Sequence, residues 1–235
     1  MKFVRATLKS FTKFELALWL GSYLVITLSF VLLKNKDYLT LAASLIGATA
    51  LIFVSKGNVL GQVLTVVFSV FYGIISFSFR YYGEMITYLC MTTPIAVASI
   101  VTWIRNAYNG NAIEVKIANL SKKEYFLMLL SGTAVTVAFY FILDAFNTNY
   151  LIISTISVMT SFVASYLTMR RSEYYALAYA LNDIVLISLW VLATMSEISY
   201  LPMIICFVVF LINDLYGFIN WSKTKRKQMD NQPLS

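Results

Sequence analysis

The sequence has no histidine, only two cysteines and three prolines, and few charged side chains. Without histidine, the chain lacks the commonest general base and the usual zinc or haem ligand sets. Cys90 and Cys206 lie in separate apolar runs with no CxxC spacing, which is typical of small packing residues. No Walker motif occurs either, so we expect no ATP-driven step within this chain and no cofactor.

The scarcity of charge also excludes an ordinary water-soluble domain. Only 12% of the residues are charged and 60% are hydrophobic, with a mean hydropathy of +0.76, whereas soluble domains carry about 25% charged residues. The net charge of +7 could suggest a nucleic-acid partner. However, the basic residues form short clusters between apolar runs, a pattern that sets the topology of membrane proteins. We therefore expect a lipid bilayer and no nucleic acid.

Eight apolar runs approach the about 20 residues that a membrane-spanning helix needs. Short polar breaks separate most of them, and the weakest break is the turn at 56–58. The sequence therefore predicts an all-α polytopic membrane protein with eight transmembrane helices. The predicted spans are 14–33, 38–55, 59–79, 85–107, 125–143, 150–169, 174–195 and 198–221.

The distribution of basic residues predicts the orientation of these spans. With both termini cytoplasmic, 15 of the 18 lysine and arginine residues are inside, and only Lys34, Lys36 and Arg80 are outside. Residues 1–13 read as a cytoplasmic amphipathic segment and 222–235 as a basic cytoplasmic tail, on either side of a transmembrane domain at 14–221. A cleaved signal peptide is the rival interpretation of the N-terminus. The apolar run that follows is too long for one and lacks a clear cleavage site.

Weak internal similarity indicates two repeats of three helices. Asp37-Tyr38-Leu39 matches Asn149-Tyr150-Leu151 at an offset of 112, and Trp103 matches Trp221 at an offset of 118. At the latter offset Tyr72 matches Trp190. The prediction is a first repeat at 38–107, a linker helix at 125–143 and a second repeat at 150–221. These are parallel 3+1+3 repeats with an additional N-terminal helix, and a substrate pathway is expected between them.

The seventh span carries aromatic, amide and carboxylate side chains on one face of a helix. Such a face can stack a flat heterocycle and hydrogen-bond a sugar or carboxamide, although it could also only pack against neighbouring helices. At 100° per residue the stripe covers about a 100° arc. Its members are Tyr175, Tyr179, Asn182, Asp183, Leu186 and Trp190.

Other spans supply fewer candidates. In the eighth span Asn213 and Tyr216 share a face, with Asp214 to one side, while Trp221 is expected to be an interfacial anchor. In the third span Tyr72 and Gln62 lie on a mostly small, polar face. Gln62 is near the inner end, where solvated glutamine is equally common. Pro94 should kink the fourth span. The candidate substrate-binding residues are therefore Tyr175, Tyr179, Asn182, Asp183, Trp190, Asn213, Tyr216, Gln62 and Tyr72.

The residues from Arg170-Arg171 through Asn182-Asp183 to Trp190, followed by the segment Asn213 to Trp221, resemble the PnuC family of bacterial nicotinamide riboside transporters. The 3+1+3 order with an additional N-terminal helix is similar as well. This resemblance implies a fold similar to the SWEET sugar transporters and a homotrimer in the bacterial cytoplasmic membrane. It also implies facilitated diffusion of nicotinamide riboside, which a cytosolic kinase then phosphorylates and traps.

The chain departs from that family pattern at one point. Tyr175 and Tyr179 stand where family members commonly place tryptophans, and relatives are thought to carry thiamine, riboflavin or deoxynucleosides. These substrates stay open as alternatives. If the substrate is nicotinamide riboside, Asp183 would favour its cationic ring over a neutral analogue.

Two other classes of protein were weighed against a transporter. An intramembrane enzyme would need a catalytic set, and the sequence has no convincing nucleophile and base, so no enzymatic activity is expected. A membrane scaffold would not need an aromatic and amide stripe on one helix.

Overall fold

The computed structural model describes residues 11–79 and 81–231. Within them, eight helices are long and apolar enough to cross a membrane, which confirms the predicted all-α, eight-span fold. Most of the predicted segment at 1–13 lies outside the described residues. The helices are α1 (Lys13–Leu32), α2 (Tyr38–Ser55), α3 (Val59–Ser78), α4 (Tyr82–Arg105), α5 (Lys122–Ala145), α6 (Leu151–Met169), α7 (Tyr175–Ser196) and α8 (Leu201–Asp230).

Short polar sequences start the helices where the predicted breaks lie. Thr12 and Glu15 form a capping box at α1, and Ser121 and Glu124 form another at α5. The doubtful break at 56–58 is a real turn. Gly57 has a φ of +66°, which glycine adopts at no steric cost, and the Asn58 side chain accepts a hydrogen bond from the Leu60 backbone N–H at 2.9 Å.

We call the end of the bundle where α1 begins and α8 ends the basic end, and the opposite end the far end. The basic end carries a two-stranded antiparallel hairpin, β1 (Ala107–Tyr108) and β2 (Asn111–Val115), where we expected only a loop. The hairpin is anchored to the bundle because the Val115 N–H donates to the Gly57 carbonyl at 3.0 Å.

Two helix boundaries differ from the prediction. Glu84, expected in a loop, is fully buried in the first turn of α4, where its Oε1 accepts a 2.6 Å hydrogen bond from Ser157 Oγ. The tail predicted from residue 222 is helical as far as Asp230, because no proline or glycine interrupts it and Gln228 donates hydrogen bonds to Glu114 and the Val115 carbonyl.

The fourth span is irregular at its centre. Thr87–Thr92 forms a π-helical turn immediately before Pro94. Proline has no N–H and its ring clashes with the preceding turn, so the helix widens there. The kink expected at Pro94 stays a prediction. The turn brings Tyr88 and Thr92 onto the surface that faces the centre of the bundle.

The helices pack as two groups, α2–α3–α4 and α6–α7–α8. The groups meet along two seams, α2 against α8 and α4 against α6, while α5 packs on α6 and α1 bridges α2 and α8. Equivalent hydrogen bonds hold both seams. Trp103 Nε1 donates to the Thr168 carbonyl and Trp221 Nε1 donates to the Val54 carbonyl, each at 2.9 Å. These pairs are related by offsets of 118 and 114, and the parallel repeat itself stays a prediction.

Candidate substrate site

A cavity lies between the two helix groups, with about 590 Å³ of empty space that includes its opening to solvent. The first group contributes side chains from α2, α3 and α4, and the second contributes side chains from α7 and α8. The lining residues are Gly47, Ala50, Leu51, Val54, Gln62, Thr65, Phe68, Ser69, Tyr88, Thr92, Tyr175, Tyr179, Asn182, Asp183, Phe207, Phe210 and Asp214.

Most of the α7 stripe reaches this cavity. Tyr175, Tyr179, Asn182 and Asp183 line it, and Gln62 joins them from α3. The fold therefore brings five of the nine candidate residues to one place. Whether they bind a substrate stays a prediction.

The amide of Asn182 is oriented by hydrogen bonds from α6. Its Oδ1 accepts hydrogen bonds from Thr160 Oγ1 at 2.7 Å and from Ser161 Oγ at 2.9 Å, both on α6. The Tyr179 hydroxyl is fixed in the same way, 3.2 Å from Ser165 Oγ. Because these contacts occupy the amide oxygen, the Asn182 Nδ2 group is left as the donor for a ligand.

Two carboxyl groups from different helices meet at the cavity. The side chains of Asp183 and Asp214 are 4% and 3% exposed and interact directly with each other. Asp183 Oδ2 has no hydrogen-bond partner among the described residues, and neither do the hydroxyls of Ser69 and Thr92 on the opposite wall. Buried polar atoms are normally paired, so these atoms are suited to a ligand or to water.

Aromatic side chains close the cavity at both ends. At the basic end Tyr175 packs on Trp221 with ring centroids 4.7 Å apart, and Trp221 packs on Trp103 at 5.5 Å. At the far end Tyr88 packs on Tyr72 at 4.4 Å, and Trp190 Nε1 donates a 3.1 Å hydrogen bond to the Tyr72 hydroxyl.

The far-end aromatic layer is extended by the loop before α4. Tyr81 packs on Trp190 at 5.1 Å. Burial, with smaller contributions from Tyr150 and Tyr200, raises the pKa of Tyr81 to about 12. Its phenol is therefore uncharged at neutral pH.

Four of the nine candidate residues lie elsewhere. Tyr72 and Trp190 are buried in the far-end layer, behind Tyr88, and do not line the cavity. Asn213 and Tyr216 face α1. Asn213 Nδ2 donates to Ser22 Oγ at 3.0 Å, and the Tyr216 hydroxyl donates to Glu15 Oε1 at 3.0 Å.

The face of α8 that we expected to line the cavity is therefore not the one that does. The residue that we placed to one side, Asp214, is the one that lines the cavity, because α1 covers the face that carries Asn213 and Tyr216. Trp221 is likewise not an interfacial anchor, since it is 1% exposed and its N–H is bonded inside the seam.

Comparison with known proteins shows the family of this chain. Residues 37–223 match the family described as nicotinamide mononucleotide transporter. The chain belongs to the nicotinamide mononucleotide transporter family. The match spans α2 to α8 and so includes both helix groups and every residue that lines the cavity.

Two curated relatives match the sequence of this chain over most of their length. The nicotinamide riboside transporter PnuC of Neisseria mucosa is 27% identical over 92% of this chain and 83% of its own. The nicotinamide riboside transporter PnuC of Haemophilus influenzae is 23% identical over 89% of this chain and 90% of its own. This member of the nicotinamide mononucleotide transporter family is thus a multi-pass membrane protein whose relatives are transporters.

A solved structure shows the same fold. The crystal structure of the vitamin B3 transporter PnuC superimposes with a TM-score of 0.83 at 24% identity, over 97% of this chain and 99% of that one. The likeness includes α1, which lies outside the family match.

Proposed function

We propose that this chain carries nicotinamide riboside across the bacterial cytoplasmic membrane by facilitated diffusion. The observation that carries the proposal is the cavity between the two helix groups, where aromatic faces, amides and a carboxyl pair converge. The two curated relatives are named for the same substrate.

The cavity offers each part of the substrate a partner of suitable chemistry. Tyr179, Tyr88 and the phenylalanines of α3 and α8 supply flat faces for a pyridinium ring. Asn182 and Gln62 supply amide groups for the carboxamide and the ribose hydroxyls. The carboxyl pair matches the positive charge of the ring, because no lysine or arginine lines the described cavity.

This charge pattern favours a cationic substrate over the neutral alternatives. Riboflavin and deoxynucleosides carry no positive charge to pair with Asp183 and Asp214. Thiamine does carry one and is the second candidate. A membrane scaffold would have no use for a buried polar cavity, whose unpaired groups cost free energy in a bilayer.

The proposal also covers the orientation of the protein in the membrane, the fate of the substrate and the oligomeric state. We place the basic end in the cytoplasm, in agreement with the charge bias, and propose trapping of the product by a cytosolic kinase and assembly as a homotrimer. We propose no catalytic activity. Among the described residues, no three histidine, cysteine or acidic side chains come together as a metal site.

Binding of a substrate panel to the purified protein tests this proposal. Isothermal titration with nicotinamide riboside, thiamine, riboflavin and deoxynucleosides should give the tightest binding with nicotinamide riboside. Tight binding of thiamine alone would support the second candidate. Tight binding of a neutral substrate, with none of either cation, would overturn the proposal.

A further inference from the structure

Within residues 11–79 and 81–231, no cationic side chain pairs with the two carboxyl groups of the cavity. Asp183 on α7 and Asp214 on α8 are each at least nine-tenths buried, and their carboxyl groups interact directly. Asp183 Oδ2 points to no hydrogen-bond donor in the described residues. Two other acidic side chains do have a cationic partner, since Glu15 pairs with Lys56 and Glu173 pairs with Lys225.

The titratable groups that face this pair are all acidic or neutral. Tyr175 and Tyr179 face it from α7, Tyr88 from α4, and Cys206 from α8 itself. The α2 and α3 walls contribute apolar, hydroxyl and amide side chains, and no titratable group. Nothing in the described cavity can therefore neutralise two carboxylates.

Two adjacent carboxylates in a buried site cannot both ionise without a large electrostatic cost, so such a pair retains a proton. A positively charged ligand beside the pair stabilises both carboxylates, so the proton can be released. We infer that the Asp183–Asp214 pair exchanges a bound proton for the positive charge of the substrate. The inference rests on the proposed function, because it requires the substrate to be a cation.

The exchange balances in charge and atoms. The empty site carries one proton on the carboxyl pair and one negative charge. When the cationic substrate enters, the O–H bond of that carboxyl breaks and the proton leaves for water. The occupied site then holds two carboxylates and one cation, so it has the same net charge as the empty site.

Calorimetry on the purified full-length protein measures the exchange. Nicotinamide riboside is titrated at one pH in phosphate and in Tris, which differ in their heats of ionisation. We expect the difference in binding heat to report about one proton released per ligand bound. Dihydronicotinamide riboside, whose ring is uncharged, should release none. Equal heats in the two buffers would overturn the inference even if nicotinamide riboside binds tightly.

The pH dependence of binding is a second readout. Because protons compete with the cation, the affinity should rise with pH, by up to tenfold per pH unit while the pair retains its proton. The double variant Asp183→Asn/Asp214→Asn has no carboxyl in the cavity, so it should lose this dependence. Asp144→Asn removes an exposed carboxyl at the far end of α5 and should retain it.

Infrared spectroscopy tests the retained proton without any ligand. A protonated carboxyl has a C=O stretching band that a carboxylate lacks. The ligand-free protein should show this band, the double variant Asp183→Asn/Asp214→Asn should lose the part of it that these two residues contribute, and Asp144→Asn should keep it. Absence of a band that depends on these two residues would contradict the inference. Failure of nicotinamide riboside to bind with the band present would instead count against the proposed function.

Discussion

The amide of Asn182 illustrates how a single polar side chain is prepared for binding. Two α6 hydroxyls hold its oxygen at 2.7 and 2.9 Å, so its orientation does not depend on a ligand. A group held in this way loses little conformational entropy when it binds, which is the benefit of preorganisation.

Asn182→Ala should weaken binding of nicotinamide riboside about tenfold, the effect of losing one hydrogen bond of about 1–1.5 kcal/mol. Titration calorimetry on the purified variant measures this loss. Asn119→Ala, at an exposed loop position of the basic end, is the matched control and should bind normally. Equal affinity for the two variants would remove Asn182 from the proposed site.

Two substitutions of Tyr179 distinguish the contribution of ring stacking to substrate binding from that of the hydroxyl. Tyr179→Phe keeps the ring and loses the hydroxyl with its hydrogen bond to Ser165, so its affinity for the substrate should stay within about threefold of the parent. Tyr179→Ala removes the ring and should weaken binding roughly tenfold, since aromatic pairs contribute about 0.5–1.5 kcal/mol beyond their buried area. The dissociation constants of both variants are the measurement. Similar losses in the two would show that the hydroxyl matters and the ring does not.

At the scale of helices, two similar tryptophan hydrogen bonds hold the two seams. Trp103 on α4 donates to α6, Trp221 on α8 donates to α2, and the two rings pack on each other at the basic end. Each bond therefore joins one helix group to the other.

Trp103→Phe and Trp221→Phe should each destabilise the protein by about 0.5–1.5 kcal/mol, because each removes one buried hydrogen bond while the carbonyl keeps its backbone N–H partner, Arg171 or Gly57. The two losses should be similar if the two helix groups are parallel repeats. Thermal unfolding in detergent, converted to free energy, measures them. Trp19→Phe is the control, since the Trp19 N–H bonds to Thr49 on a partly exposed surface. A loss there as large as in the seams would contradict their special role.

Helix α1, which belongs to neither helix group, bridges the two groups at the basic end. Glu15 accepts hydrogen bonds from Lys56, in the turn after α2, and from Tyr216 on α8. One buried carboxylate thus contacts both helix groups.

Glu15→Gln should destabilise the protein by about 1–3 kcal/mol, because it removes the negative partner of Lys56 in a nearly dry position. Restoring a neutral pair in the double variant Glu15→Gln/Lys56→Met should recover part of the loss. Thermal unfolding of the single and double variants forms the cycle. Additive losses would mean that the two side chains do not interact.

Hydrophobic periodicity and the positions of charged residues were sufficient to predict the helices. They were not sufficient to predict which neighbour each helix face contacts. Eight apolar runs and the polar breaks between them predicted the spans, and the shared face of α7 predicted four of the cavity residues. The pattern of α8 could not reveal that α1 covers Asn213 and Tyr216, because that contact joins residues almost 200 positions apart. The hairpin was missed although Asn109-Gly110 is a strong turn signal.

At the scale of the whole molecule, the cavity lies between two groups joined by seams at the basic end and by Tyr72 and Trp190 at the far end. Alternating access requires that one aromatic layer opens while the other stays closed. The π-helical turn and Pro94 in α4 give that helix an irregular centre beside the cavity, where a bend can form without breaking a regular helix.

Counterflow in proteoliposomes tests whether this chain transports nicotinamide riboside without an energy source. Vesicles that contain only this purified chain, with no ATP and no ion gradient, are loaded with unlabelled nicotinamide riboside and diluted into labelled substrate. We expect rapid accumulation of label inside loaded vesicles, none in empty liposomes, and a clear reduction with Asn182→Ala. No counterflow with nicotinamide riboside, together with counterflow of riboflavin or a deoxynucleoside, would contradict it.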